Sequence, residues 1–285
     1  MKLGFLLPNF GAYSDVRLLA DLAHDADAAG WDGFFLADTI QMMGYETSPS
    51  SDPWIAMTAI VMRTERIHTG LIVAAPPRRR PWQFAKEAAT LDQLSGGRLI
   101  LGAGSGDEHD RAFELFGEER DMKRRAAMLD ESLEIFQGLW SGKPFSFEGE
   151  HYRTGEITML PVPVQQPRIP IWVSWVWPRK RPLDRAARWD GAVPYAVHED
   201  GSFAEITPDE VRQIRQLIEE RRTGNGPYDI VNGVPILNAL TDSAALDTLR
   251  ANADAGATWG FEYIPPEFDI ETFRKALRQG PPKLG

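Results

Sequence analysis

Cysteine is absent from the 285 residues. Disulfides, thiolate nucleophiles and zinc–thiolate centres are therefore excluded. Long apolar runs are also missing. None approaches the roughly 18 residues needed to cross a bilayer. The apolar stretch in MKLGFLLPNFG is too short for a secretion signal and reads as a first strand. A cytoplasmic chain with no membrane partner is expected. Nor is there a basic excess, since 31 Lys and Arg face 41 Asp and Glu for a net charge of −10. The one basic run, Arg78-Arg79-Arg80, is short. Nucleic-acid binders carry a basic face, so no nucleic-acid partner is expected. Histidine is sparse: the five are His24, His68, His109, His151 and His198, and no two sit at His-x-His spacing. Metal sites in barrels draw on clustered His and carboxylates, so no metal is expected. A serine nucleophile elbow is missing, because Gly102-Ala-Gly-Ser-Gly106 has the wrong spacing. A dinucleotide fingerprint fails because the third glycine is misplaced.

What the chain does carry is a rhythm. Short apolar runs alternate with helical stripes eight times. Strands are expected at Lys2 to Pro8, Asp32 to Ala37, Ile67 to Val73, Arg98 to Ala103, Ile171 to Ser174, Asp190 to Pro194, Asp229 to Leu237 and Thr258 to Ile264. Start and stop residues frame the helices: Asp15 and Gly30, Asp52-Pro53, Pro81 and Gly96, the box Thr207-Pro208-Asp209-Glu210, and Asp242 and Gly256. A short helix is expected from Arg179 to Arg188. Residues Pro144 to Arg153 alternate around a Glu-Gly turn and predict a small β-hairpin before the fifth strand. The fold class is α/β, a single (β/α)8 TIM barrel over residues 1–285 with an insertion at about 142–165.

In such a barrel the active site lies at the C-terminal ends of the strands. The stretch Glu87 to Asp110 therefore stands out. A helix ends at Gly96-Gly97, a strand follows, and Gly104-Ser105-Gly106 leads into Asp107, Glu108, His109 and Asp110. Glycines let backbone amides approach a ligand closely, and an imidazole such as that of His109 is a common proton donor or acceptor in catalysis. Ser174-Trp175-Val176-Trp177 ends the fifth strand ahead of Arg179, Lys180 and Arg181. Amides at a helix start together with cations suit an anion. The plainer reading places both Trp in the core and the cations in water.

Together these pieces resemble the bacterial luciferase-like family of flavin- or deazaflavin-dependent oxidoreductases. The resemblance is dense from Asp52 to Pro194. It runs through Thr64-Glu65-Arg66-Ile67, Arg80-Pro81, Ala85-Lys86-Glu87-Ala88-Ala89-Thr90-Leu91-Asp92-Gln93-Leu94-Ser95-Gly96-Gly97-Arg98, Leu139-Trp140-x-Gly142, Phe147-Glu148-Gly149-x-His151-Tyr152, Pro170-Ile171-Trp172-Val173 and Arg185-Ala186-Ala187-Arg188-Trp189-Asp190-Gly191. The first 50 residues and the last 90 match in layout only.

The resemblance implies reduced FMN, or the 8-hydroxy-5-deazaflavin coenzyme (F-420 type), bound at the barrel mouth. The ring would lie over the third and fourth strand ends, with its phosphate on the loops after strands four and five. Asp38, Ala74, Ala75, Gly104, Ser105, Gly106, Ser174, Trp175, Val176 and Trp177 are the implied cofactor-binding residues. A non-proline cis peptide is implied at Val73-Ala74 or Ala74-Ala75. Asp107, Glu108 or His109 would handle a proton, with Thr39 beside them. Asn9, Trp54, Tyr195 and Tyr263 would line the substrate pocket. The implied reaction is an FMN-dependent monooxygenation of a small organic substrate, with a separate flavin reductase as partner. The alternatives are hydride transfer with the deazaflavin, or a non-catalytic flavin-binding barrel. A homodimer is implied, through helices two and three with Met57, Met62 and Trp82. Two departures from the family pattern matter. The second strand ends Asp38-Thr39-Ile40 without the histidine several members have, and Ser174-Trp-Val-Trp177 stands where many have glycines.

Overall fold

A computed structural model describes residues 1–179, 182–199 and 203–284. Eight parallel strands form the barrel: β1 (Lys2–Leu7), β2 (Gly33–Leu36), β3 (His68–Ala74), β4 (Leu99–Ala103), β5 (Ile171–Val176), β6 (Gly191–Val197), β7 (Asp229–Gly233) and β8 (Trp259–Tyr263). They pair in chain order. The ring closes between β8 and β1, where Phe5 lies beside Glu262. The expected hairpin forms from Phe145–Glu148 and Arg153–Ile157, just ahead of β5.

The helices begin and end where the chain's chemistry directs. Asp15 accepts from the amides of Arg17 and Leu18 to open α1 (Val16–Ala29), and Gly30 closes it at φ 95°. Asp52 accepts from the Ile55 amide at 2.9 Å to open α2 (Pro53–Arg63). The main helices that follow are α3 (Pro81–Ser95), α4 (Met122–Trp140), α5 (Pro208–Glu219), α6 (Ser243–Ala255) and α7 (Ile270–Gln279). The Thr207/Glu210 capping box starts α5. Each cap satisfies amides that a helix start leaves without partners.

Strand alternation divides the apolar residues into two cores. One fills the barrel with Phe35, Ile72, Ile100, Trp172, Val231, Trp259 and Phe261. The other lies between the strands and the surrounding helices and includes Phe5, Leu7, Leu71, Leu101, Val173 and Ala192. The bulky interior needs gaps. A Cβ on Gly33 would come within 2.4 Å of the Phe35 ring, and one on Gly191 within 2.3 Å of Trp172.

Local geometry overrides several sequence expectations. β7 stops at Gly233 because Pro235 follows and Ile236–Ala239 forms a helical turn, with Glu262 accepting from the Leu237 amide at 2.6 Å. The helix expected from Arg179 to Arg188 shrinks to Leu183–Ala186, with Pro182 as its N-cap; its Lys180 and Arg181 lie outside the described residues. The non-proline cis peptide falls at Ile72-Val73, ahead of both expected bonds. It lies within the span where the β3–β4 register shifts, between Leu71 and Ala74. In α2 the buried side is Trp54, Met57, Ile60 and Val61, while Ile55 and Met62 face solvent.

Candidate active site

The same alternation decides which side chains reach the mouth. On β5, Trp172 points into the barrel, so Ser174 and Val176 follow it inward. A Cβ on Gly104 would lie 3.9 Å from the Ser174 Cβ and 2.9 Å from the Val73 side chain. Trp175 and Trp177 project the other way, into the outer core. Trp177 donates its indole N–H to Glu210 at 3.0 Å. Neither Trp walls the mouth. Trp54 is also an outer-core residue, edge-on to Phe84 at 5.0 Å.

Gly104, Ser105 and Gly106 form a ledge over the ends of β3 and β4. Gly104 is buried and donates to the Ala74 carbonyl at 3.0 Å. Gly106 adopts φ 88°, and a Cβ there would press 2.4 Å from the Phe113 ring. Glycine is required at that point on both counts. Ala74 and Ala75 are buried beside it.

Beneath the ledge lies a buried charge network. Asp38, at the end of β2, pairs with Arg78 at 2.8 Å and Arg79 at 3.0 Å, and accepts from the Ala75 amide at 3.3 Å. Arg78 also pairs with Asp110. Asp110 in turn accepts from the amides of Ile40, Gln41 and Ala112 at 3.1, 3.0 and 3.1 Å. Three loops, after β2, β3 and β4, are thereby tied together. Burial works against the Asp38 charge, but the flanking Arg78 and Arg79 hold its carboxyl below the usual range. Burial likewise disfavours the Arg78 cation, and the two carboxylates more than compensate. Sequence reading set the Arg78-Arg79-Arg80 run aside as short, because spacing does not reveal that Asp38 and Asp110 converge on it.

Arg125 was also missed. It sits in the first turns of α4, four residues before Leu129, on the helix's buried stripe. It is 2% exposed, and its Nε and Nη1 meet no acceptor among the described residues. Its guanidinium stacks 4.1 Å from the Phe113 ring, which Arg78 also approaches at 5.7 Å. Burial lowers its proton affinity, and Glu108, Asp107 and Glu119 partly restore it. A cation on an apolar stripe was the signal in the sequence. A buried guanidinium with free donors fits a phosphate ester placed near the ledge.

Asp107, Glu108 and His109 lie at the rim rather than inside. Asp107 and His109 are 50% and 51% exposed, and their Oδ1 and Nδ1 are 2.8 Å apart. The Met43 amide donates to the His109 carbonyl at 3.0 Å. Asp110, next along, turns inward to the network. Asn9 spends its amide group on the loop after β2: its Nδ2 donates to the carbonyls of Thr39 and Ser51, both at 2.7 Å, and its Oδ1 accepts from the Thr39 amide at 3.3 Å. Asn9 and Thr39 thus hold each other and are both buried. Tyr195 and Tyr263 stand at the mouth on β6 and β8. Burial, helped by Asp107, raises the Tyr195 phenol. Burial, then Tyr45 and Glu267, push Tyr263 up to about 12.

A glycine ledge, buried Arg–Asp ion pairs and an exposed His–Asp pair thus gather at the strand C-termini, the end of a (β/α)8 barrel where active sites lie. The profile of the luciferase-like monooxygenase family matches residues 1–279, and the chain belongs to that family. An F420-dependent glucose-6-phosphate dehydrogenase of Nakamurella multipartita is 35% identical over 159 residues, which are 55% of this chain and 45% of that protein. The chain spans about half the length of the curated relatives it matches. In fold it is similar to the monooxygenase RslO1 of Streptomyces bottropensis, with a TM-score of 0.75 at 21% identity over 98% of this chain and 97% of that one. An F420-dependent secondary alcohol dehydrogenase, in complex with an F420-acetone adduct, gives 0.74 at 16% identity over 97% and 99%.

Proposed function

We propose that this chain is a deazaflavin-dependent oxidoreductase that moves hydride to or from a small organic substrate. The observation that carries the reading is the buried guanidinium of Arg125, whose Nε and Nη1 meet no acceptor among the described residues and which stacks on the Phe113 ring that packs against Gly106. The similarity to F420-dependent dehydrogenases supports the deazaflavin over FMN. When bound, the cofactor supplies the redox chemistry. The protein's part is to bind, orient and exclude water. Arg125 neutralises the phosphate ester. The Gly104–Gly106 ledge is the seat, and the Asp38–Arg78–Asp110 network ties together the loops around it. His109, with Asp107 on its Nδ1 side, holds or accepts a proton at the rim.

The test is a titration of each cofactor, followed by tryptophan quenching, on wild type and Arg125→Met. Wild type should bind the deazaflavin more tightly than FMN. The variant should weaken binding about 10- to 100-fold, the scale of a lost charge-assisted contact, while its melting temperature holds or rises. Equal affinity in both proteins would remove Arg125 from the site. Tighter FMN binding would return the reading to a flavin monooxygenase with a separate reductase.

We further propose a homodimer through α2 and α3. Ile55, Met62 and Trp82 expose apolar surface there, whereas Met57 belongs to the core. Light scattering that gives only the 31.9 kDa chain mass would rule it out.

A further inference from the structure

We infer that Tyr195, Phe203, Tyr263 and Gly233 form a slot that admits a neutral, flat, largely apolar substrate rather than a sugar phosphate. This rests on the mouth being the substrate site, as proposed above. The register explains the slot. Val231 fills the barrel, so Gly233, two residues on, faces inward at the end of β7. Gly233 pairs with Phe261 of β8. The β6–β7 pairing runs through Asp229–Gly191 and Ile230–Ala192, on the two strands whose further residues include Gly233 and Tyr195. The glycine therefore stands between the two tyrosine-bearing strands. Among the described residues, a Cβ built on it meets nothing within 4 Å, and its φ is not in the left-handed region. Neither packing nor backbone explains why a side chain is missing there. What the missing side chain leaves is space.

Phe203 closes the slot from above. After β6, the strand Phe203–Ala204 returns antiparallel, with Phe203 opposite Val197. Its ring centroid lies 6.0 Å from that of Tyr195 at 72° and 6.5 Å from that of Tyr263 at 52°. It is nonetheless 69% exposed. An aromatic cluster left this open is the kind of surface that gains by covering a flat apolar ligand. Val176 and Val193 face the same mouth from β5 and β6. Among the described residues, the carboxylates of Asp107 and Glu108 act on the Tyr195 phenol against the Arg179 cation, and would oppose a phosphorylated substrate beside it.

The test uses 2-naphthol and glucose 6-phosphate as probes, titrated calorimetrically against the cofactor-saturated full chain. Wild type should bind 2-naphthol at least 10-fold tighter than glucose 6-phosphate. Gly233→Leu should fill the slot and weaken 2-naphthol at least 10-fold, with unchanged cofactor affinity and melting temperature. Phe203→Ser, on an exposed site, should weaken it less and also fold. Undiminished 2-naphthol binding in both variants, or tighter glucose 6-phosphate binding in wild type, would overturn the inference. Cofactor titration of the same samples separates the two proposals. A wild type that binds neither cofactor sinks the function proposed above, and 2-naphthol binding to the cofactor-free chain then decides the slot.

Discussion

The two halves of the barrel mouth are built on opposite principles. The half formed by the loops after β2, β3 and β4 is held from beneath by buried charge: Asp38, Arg78, Arg79 and Asp110, with Arg125 behind them. The half formed by β6, β7 and β8 presents exposed aromatics around a glycine gap. Buried ion pairs are directional, and breaking one strands the other charge. Aromatic contact is tolerant of shape and easily exchanged. On the reading proposed above, the first half would hold the cofactor in one geometry and the second would take the substrate.

The sharpest way to break this contrast is Arg78→Met. It leaves Asp38 and Asp110 buried without their shared cation and should cost about 3–5 kcal/mol, read by urea unfolding. A loss under about 1 kcal/mol would mean the network does not brace the loops. A comparable loss, about 3–5 kcal/mol, is expected for Trp175→Ala, a large side chain removed from the outer core. Val176→Ala, next to it but facing the mouth, should cost about 1 kcal/mol or less. Equal losses would contradict the assigned strand alternation.

Acid and alkali should loosen different halves, and hydrogen exchange as a function of pH can tell them apart. Asp38's carboxyl is held below its ordinary 3.8. Its contribution is thus present above about pH 4 and is lost as pH falls through the lower folded value. Tyr263 is raised from 10.0 to about 12. Its contribution is fully present below pH 10 and is lost as pH rises towards 12. Protection should fade first around residues 38–43 in acid and around β8 in alkali. The smallest stability effect belongs to the rim. The double change Asp107→Ala with His109→Ala should move unfolding by about 0.5 kcal/mol or less, yet cut turnover about 100-fold if the pair handles the proton. Full turnover on the true substrate would withdraw that role.

Much of the barrel was legible in the chain. Asp15, Asp52, Thr207 and Asp242 cap the helices they precede, and Gly30, Gly96 and Gly256 close theirs in the left-handed region. These are local interactions, complete within a few residues, so spacing reveals them. The site was legible by position more than by role. Gly104 and Gly106 lie where expected, while Trp175 and Trp177 turn outward, because one residue's offset along a strand reverses the face. A run written Ser-Trp-Val-Trp does not say which pair faces in. The neighbouring Trp172, packed against Trp259 at 5.4 Å inside the barrel, decides it.

By itself, then, the sequence determined the alternation of strands and helices, their caps, and the end of the barrel where chemistry belongs. Tertiary structure decided which charges meet. Asp38, Arg78 and Asp110 are 40 and 32 residues apart in consecutive steps along the chain, and Arg125 lies beyond them all. Burial makes their pairing strong and leaves Arg125's Nε and Nη1 without an acceptor among the described residues. It arises only when three separate loops close over one ring of strands.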